Sequence, residues 1–220
     1  PSKRASIIDE NIAVAEKQIG MLADSSETGG VIRIPSTWKN GRIDYVPVDD
    51  WVSGFFAGTL WYMYELTGDE TWAARARKHT EILDSVQYLQ WHHDVGIMLP
   101  DGNGLRLKNI PGYEDVIVQT AKSLATRFRP VPGVIQSWDA DRGWQGERGW
   151  QCPVIIDNMM NLELMFKATE FSGDSTYYNI AVKHADRTMK EHFRDDYSCY
   201  HVVDYDLTTG DVRGRCTAQG

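Results

Sequence analysis

The chain has 220 residues, 42% of them hydrophobic and 25% charged, an ordinary globular composition with enough length for one sizeable core. A formal net charge of −8 with no compensating run of Lys or Arg excludes a nucleic-acid footprint, and the lack of any run of 18 apolar residues excludes a membrane-spanning helix. Cys152, Cys199 and Cys216 are odd in number and match no zinc spacing, so free, mostly buried thiols are expected, with no disulfide framework and no metal.

Taken in order, Ile7 to Ala23 carries Ile8, Ile12, Ala15 and Ile19 on one face and Asp9, Glu10, Glu16 and Lys17 elsewhere, which predicts an amphipathic surface helix. Gly29, Gly30, Pro35 and Pro47 then mark Ser25 to Asp49 as a long connection with a short extended piece at Val31 to Ile34. Trp51 to Leu66 reads as a helix apolar almost all round, whose Gly54, Ala57 and Gly58 admit a close neighbour. Thr67-Gly68-Asp69 turns the chain into an amphipathic helix from Glu70 to Tyr88. Trp91 to Leu99, Pro130 to Pro153 and Arg194 to Gly220 are loops, the last with a short hairpin at His201–Asp206 and Val212–Arg215.

An internal repeat organises these elements. Glu65 to Trp72 followed by Ala76, Lys78 and His79 aligns with Glu170 to Tyr177 followed by Ala181, Lys183 and His184, at a constant offset of 105. Each copy is an apolar helix, a Gly-Asp turn and an amphipathic helix. A degenerate third copy is placed at Leu105 to Phe128, turning at Ile110-Pro-Gly112. Hairpins at this spacing predict an all-α toroid or solenoid in a single domain, residues 1–220.

Two carboxylates stand out. Val154 to Phe171 is the most apolar stretch and predicts a helix buried nearly all round, with Ile155, Met159, Leu162 and Phe166 on one face and Asp157 in its first turn. Asp157 is either a helix N-cap or a carboxyl kept protonated by burial; the capping-box partner is missing because Met160 occupies that position. Asp94 sits in His92-His93-Asp94-Val-Gly96, either a turn with surface histidines or part of a site. The His92/His93/Asp94 group finds no second ligand cluster at useful spacing, so a metal is not expected. Eight Trp and ten Tyr serve equally as core filler or as flat platforms for sugar rings.

Five stretches carry a resemblance. Trp51-Val-Ser-Gly-Phe-Phe-Ala-Gly-Thr-Leu-Trp61 with Tyr64 to Asp69, His93 to Met98, Val154 to Leu162, His201 to Asp206 and Thr217-Ala-Gln-Gly220 resemble, in order, the unsaturated glucuronyl hydrolases of glycoside hydrolase family 88. The resemblance implies an (α/α)6 barrel. Its pocket would accept the Δ4,5-unsaturated uronic acid that a polysaccharide lyase leaves at the non-reducing end of an oligosaccharide. The implied reaction is hydration of the C4=C5 bond: an acid protonates C4, water adds at C5, and the hemiketal opens to release the remaining saccharide. Asp157 resembles the general acid and base, and Asp94 the carboxylate that supports it; His201 and Gln219 fall on pocket-lining positions. Trp51 and Trp138 resemble ring-stacking residues.

No cofactor is implied, and export to a periplasm or secretion is the expectation. The barrel needs about twelve helices against the five or six read here, so the chain is expected to be the N-terminal half to two-thirds of one, a fragment. The alternatives are an unsaturated rhamnogalacturonyl hydrolase and a non-catalytic glycan-binding α/α repeat protein.

Overall fold

A computed structural model of the chain describes residues 3–99 and 112–219. They fall into two units, Pro1–Ser85 with Met98–Pro111 and Val86–Ile97 with Gly112–Gly220.

In the first unit, α1 spans Lys3–Ser26, and a β-hairpin follows in which β1, Ile34–Lys39, pairs antiparallel with β2, Arg42–Val46. The hairpin lies within the stretch expected to be one long connection. Asn40 and Gly41 both adopt positive φ and close its two-residue turn, the pattern of a type I′ loop. On α1, Ile12, Ala15 and Ile19 are half-buried while Ile8 is exposed. Next, α2 covers Ser53–Thr67 and α3 Glu70–Glu81, so the helix expected to run to Tyr88 stops earlier and is followed by a 3-10 turn at Asp84–Tyr88. Though apolar almost all round, the stretch from Trp51 to Leu66 buries only part of its surface. Phe56, Leu60, Trp61 and Met63 are buried, whereas Trp51, Phe55, Tyr62 and Leu66 are exposed. Gly54 fulfils its expected role: a Cβ there would lie 2.0 Å from the Met98 carbonyl oxygen.

The second unit holds the one-turn helix α4, Val95–Met98, of which Met98 belongs to the first unit. Four further helices follow: α5, Tyr113–Ala125; α6, Gly143–Gly146; α7, Leu162–Ser172; and α8, Ser175–Glu191. The first helix of the expected third repeat, Leu105 to Pro111, lies outside the described residues; its second member is α5. The two clear repeats are built alike. Gly68 and Gly173 end α2 and α7 at φ 69° and 73°, and Asp69 and Asp174 each accept from the N–H of the residue two on, Thr71 and Thr176, at 2.8 Å. These are N-caps in both copies. Behind them Trp72 and Tyr177, Ala76 and Ala181, and His79 and His184 are all buried.

The stretch expected to be one helix from Val154 is three elements. After the short antiparallel pair β3, Phe128–Arg129, and β4, Val134–Ile135, Cys152–Ile155 is strand β5, Ile156–Asn161 is a 3-10 turn, and only Leu162–Ser172 is α-helix. The apolar run is strand-like at its start because β5 pairs with β6, Val202–Tyr205, which pairs in turn with β7, Val212–Cys216, giving the order β5-β6-β7. Pro153 lies on the edge strand of that sheet, where a missing N–H is tolerated. Asp204, 4% exposed, accepts from Gln151 and Cys152 N–H and pairs with Arg213 at 2.6 Å, fixing the start of β5. Val134, Cys152, Val154, Val203 and Tyr205 form the core beneath. Met160 and Phe166, read as core, are exposed at 58% and 41%: the 3-10 turn buries Asn158 and Asn161, and α7 buries Leu162, Leu164, Met165 and Ala168 instead. The His201–Arg215 hairpin is present as β6-β7. All three cysteines are free, but only Cys152 is buried. No described helix is long and apolar enough to cross a membrane.

Candidate active site

Three short segments of the second unit, at His92–Asp94, Ser137–Trp138 and Asp157, meet around one imidazole. His93 is 1% exposed; its Nε2 lies 2.8 Å from Asp94 Oδ1 and 3.6 Å from Asp157 Oδ1. The nearest ligand atoms of His93, Asp94 and Asp157 all lie within 4.8 Å of one another. The two carboxylates singled out in the sequence, 63 residues apart, are therefore brought together.

Their surroundings drive them apart chemically. Burial works to raise the Asp94 carboxyl, but hydrogen bonds from His92 and His93, at 3.0 and 2.8 Å, outweigh it and hold the group well below the ordinary carboxylate range. Of the two alternatives for this segment, surface histidines is the one the structure excludes: both rings are buried, at 3% and 1%, against this carboxylate. His92 Nδ1 also accepts from the Asp94 backbone N–H at 3.1 Å, which pins the ring against the carboxylate.

Asp157 moves the other way. Burial raises its pKa and the nearby Asp94 charge raises it further, against the opposing influence of His93 and His201. Its Oδ1 is buried without a hydrogen-bond partner, yet the side chain is 37% exposed, so one oxygen is sequestered and Oδ2 remains open. Asp157 is not a helix N-cap: it lies inside the 3-10 turn, whose N-cap is Ile155 with no side-chain cap. Nor is it in an all-apolar helix; the partial burial comes from the turn and its neighbours.

Two asparagines that sequence reasoning missed hold this turn. Asn158 Nδ2 donates to the Ile135 carbonyl at 2.7 Å, and Asn161 Nδ2 donates to Asn158 Oδ1 at 2.8 Å. Asn161 Oδ1 then accepts from Gly96 N–H at 3.0 Å, two residues after Asp94. Both asparagines are fully buried, and the signal for them was two amides three residues apart inside an apolar run. Gly96 is required here, since a Cβ would lie 2.4 Å from Asn161 Oδ1.

The other expected site residues divide. The His201 carbonyl accepts from Ile156 N–H at 2.9 Å, and its Nδ1 accepts from Ala218 N–H at 3.1 Å, linking the carboxylate turn to Thr217–Gln219. Gln219 itself is exposed, and Gly220 lies outside the described residues. Trp138 is half-buried, its ring 6.2 Å from His93 and stacked on Trp150 at 6.0 Å and 18°, with Trp144 edge-on at 5.2 Å. Trp144 and Trp150 were not foreseen. Arg148 lies over both rings at 5.8 Å, so the cluster combines flat faces with a cation. A cleft of about 540 Å³ adjoins Trp150, walled also by Arg129, Gln136, Asp139, Arg142 and Leu207. Trp51 belongs to the first unit, exposed and edge-on to Phe55 at 5.7 Å. Among the described residues, His93, Asp94 and Asp157 are also the donors that could hold a metal ion, though the hydrogen between Nε2 and Asp94 competes for the same lone pair.

No family model matches the chain. Among curated proteins, the unsaturated glucuronyl hydrolase of Formosa agariphila is 45% identical over 178 residues, 80% of this chain and 43% of the relative. The chain belongs to the unsaturated glucuronyl hydrolase family. A second relative of the family, the unsaturated chondroitin disaccharide hydrolase of Streptococcus pyogenes, is 31% identical over 191 residues, 84% of this chain and 46% of the relative. The crystal structure of an unsaturated glucuronyl hydrolase specific for heparin superposes with a TM-score of 0.85 at 40% identity, covering 96% of this chain and 55% of that one. The fold class is accordingly the helical-hairpin (α/α)6 barrel, and the chain spans about half the length of the relatives it matches.

Proposed function

We propose that this chain carries the working carboxylate pair of a glycoside hydrolase that hydrates the C4=C5 bond of a Δ4,5-unsaturated uronic acid at the non-reducing end of an oligosaccharide. One observation carries the reading: two carboxyl groups share a histidine within 4.8 Å, and their surroundings push one pKa down and the other up. Pairs of titratable groups split in this way mark the division between a proton donor and a charge that stays.

In this mechanism Asp157 is the general acid. Its open Oδ2 gives a proton to C4, which leaves a cation at C5 shared with the ring oxygen. Asp157, now a carboxylate, takes a proton from the water that adds at C5, and the hemiketal opens to release the saccharide. Asp94 stays ionised and supports the cation and His93, whose Nε2 lies 2.8 Å from Asp94 and 3.6 Å from Asp157. His201 and Gln219 border the substrate, Trp138 offers a ring face, and Trp51 is assigned the same stacking role. No step requires a metal or an organic cofactor.

One relative is named an unsaturated chondroitin disaccharide hydrolase and one solved structure is of an enzyme specific for heparin, and these names support glycosaminoglycan lyase products as this chain's substrates. A compartment outside the cytoplasm, where such products arrive, belongs to the same proposal. The test follows the absorbance of the C4=C5 bond when the protein is mixed with heparin, chondroitin and pectic lyase products. Decay that disappears in Asp157→Asn supports the reading, and its rank across substrates names the preferred class. A signal that persists with every substrate would leave a non-catalytic glycan-binding protein.

A further inference from the structure

We propose that Ser137 is the positioning residue of the carboxylate pair: its hydroxyl dictates which nitrogen of His93 carries a hydrogen, while its backbone ties together the segments bearing Asp94 and Asp157. The proposal rests on the hydrolase reading for its kinetic consequences, but its geometry stands without it.

Every polar atom of Ser137 is engaged. Its N–H donates to the Pro153 carbonyl at 2.9 Å, and its carbonyl accepts from His93 N–H at 3.0 Å. Its Oγ accepts from Ile155 N–H at 2.9 Å and lies 2.9 Å from His93 Nδ1. Pro153 and Ile155 belong to β5, which runs directly into the turn holding Asp157; His93 directly precedes Asp94. One residue thus joins the two catalytic segments at four points, and at 0% exposure no water can replace it.

The hydroxyl does more than hold. Its oxygen accepts from Ile155 N–H, and among the described residues the hydroxyl hydrogen has no partner at hydrogen-bond distance but His93 Nδ1, so this buried hydrogen is satisfied only when Nδ1 accepts it. With Nδ1 as an acceptor, the ring hydrogen resides on Nε2, the atom that faces both carboxylates. The opposite tautomer would turn a bare lone pair toward Asp94 Oδ1 at 2.8 Å, which is repulsive against an ionised carboxylate. Ser137 therefore selects the tautomer that donates to Asp94 with Nε2–H beside Asp157.

Three measurements test this. In the wild type, 15N NMR of labelled histidine is expected to show His93 with hydrogen on Nε2 and Nδ1 as acceptor; hydrogen on Nδ1 at neutral pH overturns the proposal. In Ser137→Ala, kcat is expected to fall roughly 10- to 100-fold with KM within about threefold of wild type. Ser137→Thr, which keeps the hydroxyl, is expected to recover most of that loss. A Ser137→Ala enzyme within about twofold of wild-type kcat, or a Thr variant as impaired as the Ala variant while equally well folded, overturns it. Should Ser137→Ala not fold, the wild-type tautomer and the Thr variant decide. A wild type that turns over no unsaturated disaccharide sinks the hydrolase reading instead, and the His93 tautomer then judges Ser137 by itself.

Discussion

Asp157 keeps one oxygen buried without a partner and the other open, an arrangement that costs stability whenever the group is ionised. Asn in its place removes the charge at nearly the same volume. Asp157→Asn is therefore expected to melt at or above the wild-type temperature near pH 7 while losing roughly 10²- to 10⁴-fold in turnover, the range for a deleted general acid. Calorimetry paired with the absorbance assay checks both halves, and a variant that melts markedly lower would contradict the assigned strain. Asp94 answers oppositely, since it is held by His92 and His93. Asp94→Ala strands both histidines in the interior and is expected to cost about 3 kcal/mol or more in a urea titration. Gly96→Ala pushes a methyl to 2.4 Å from Asn161 Oδ1 and displaces the Asp94 segment from the Asp157 turn. It is expected to destabilise by about 1–3 kcal/mol, with a loss of turnover larger than the loss of stability alone explains.

At the scale of elements, the repeat is enforced by two caps. Asp69 and Asp174 each lie below the usual carboxylate range because they accept hydrogen bonds from Thr71 and Thr176 at the starts of α3 and α8. Replacing either by Ala is expected to lower the melting temperature, and the double variant to show the sum, since the caps are 105 residues apart and share no partner. Thermal melts of the two single variants and the double check this, and a double variant no worse than either single one would show the caps coupled. The sheet β5-β6-β7 is the element that decides the site. It converts the first residues of an apolar run into a strand and leaves Asp157 on the turn after it.

For the molecule as a whole, stability should fall on acidification, with identifiable sources. Burial pushes His184 from 6.5 down to about 3, so it folds neutral. Its contribution is complete above pH 6.5 and is lost as pH falls toward 3. Asp94, lowered from 3.8, adds stability that is present above pH 3.8 and lost only as pH drops further. Asp157, raised from 3.8, acts in the other sense: its contribution is present below pH 3.8 and lost as pH rises through its raised value. Unfolding free energies from urea titrations are thus expected to decline between pH 6.5 and 4, by at most about 1.4 kcal/mol per pH unit for each such histidine. His184→Gln, which cannot titrate, is expected to flatten that decline; an unchanged slope would assign it to other groups.

The sequence by itself determined the hairpin repeat, its glycine turns and Asp caps, and the two acids, because capping and turn chemistry are local and need only neighbours within a few residues. It also carried the family resemblance through short motifs. Tertiary structure alone decided that Val154 extends rather than coils, since strand pairing depends on Val202 to Tyr205 nearly 50 residues away. Likewise only packing revealed His93 as the shared partner and Ser137, Asn158 and Asn161 as its frame, because a buried hydrogen-bond network is defined by distances through space. Trp51 and Gln219 were legible as motif positions, but nothing local to either residue fixes where an exposed side chain points.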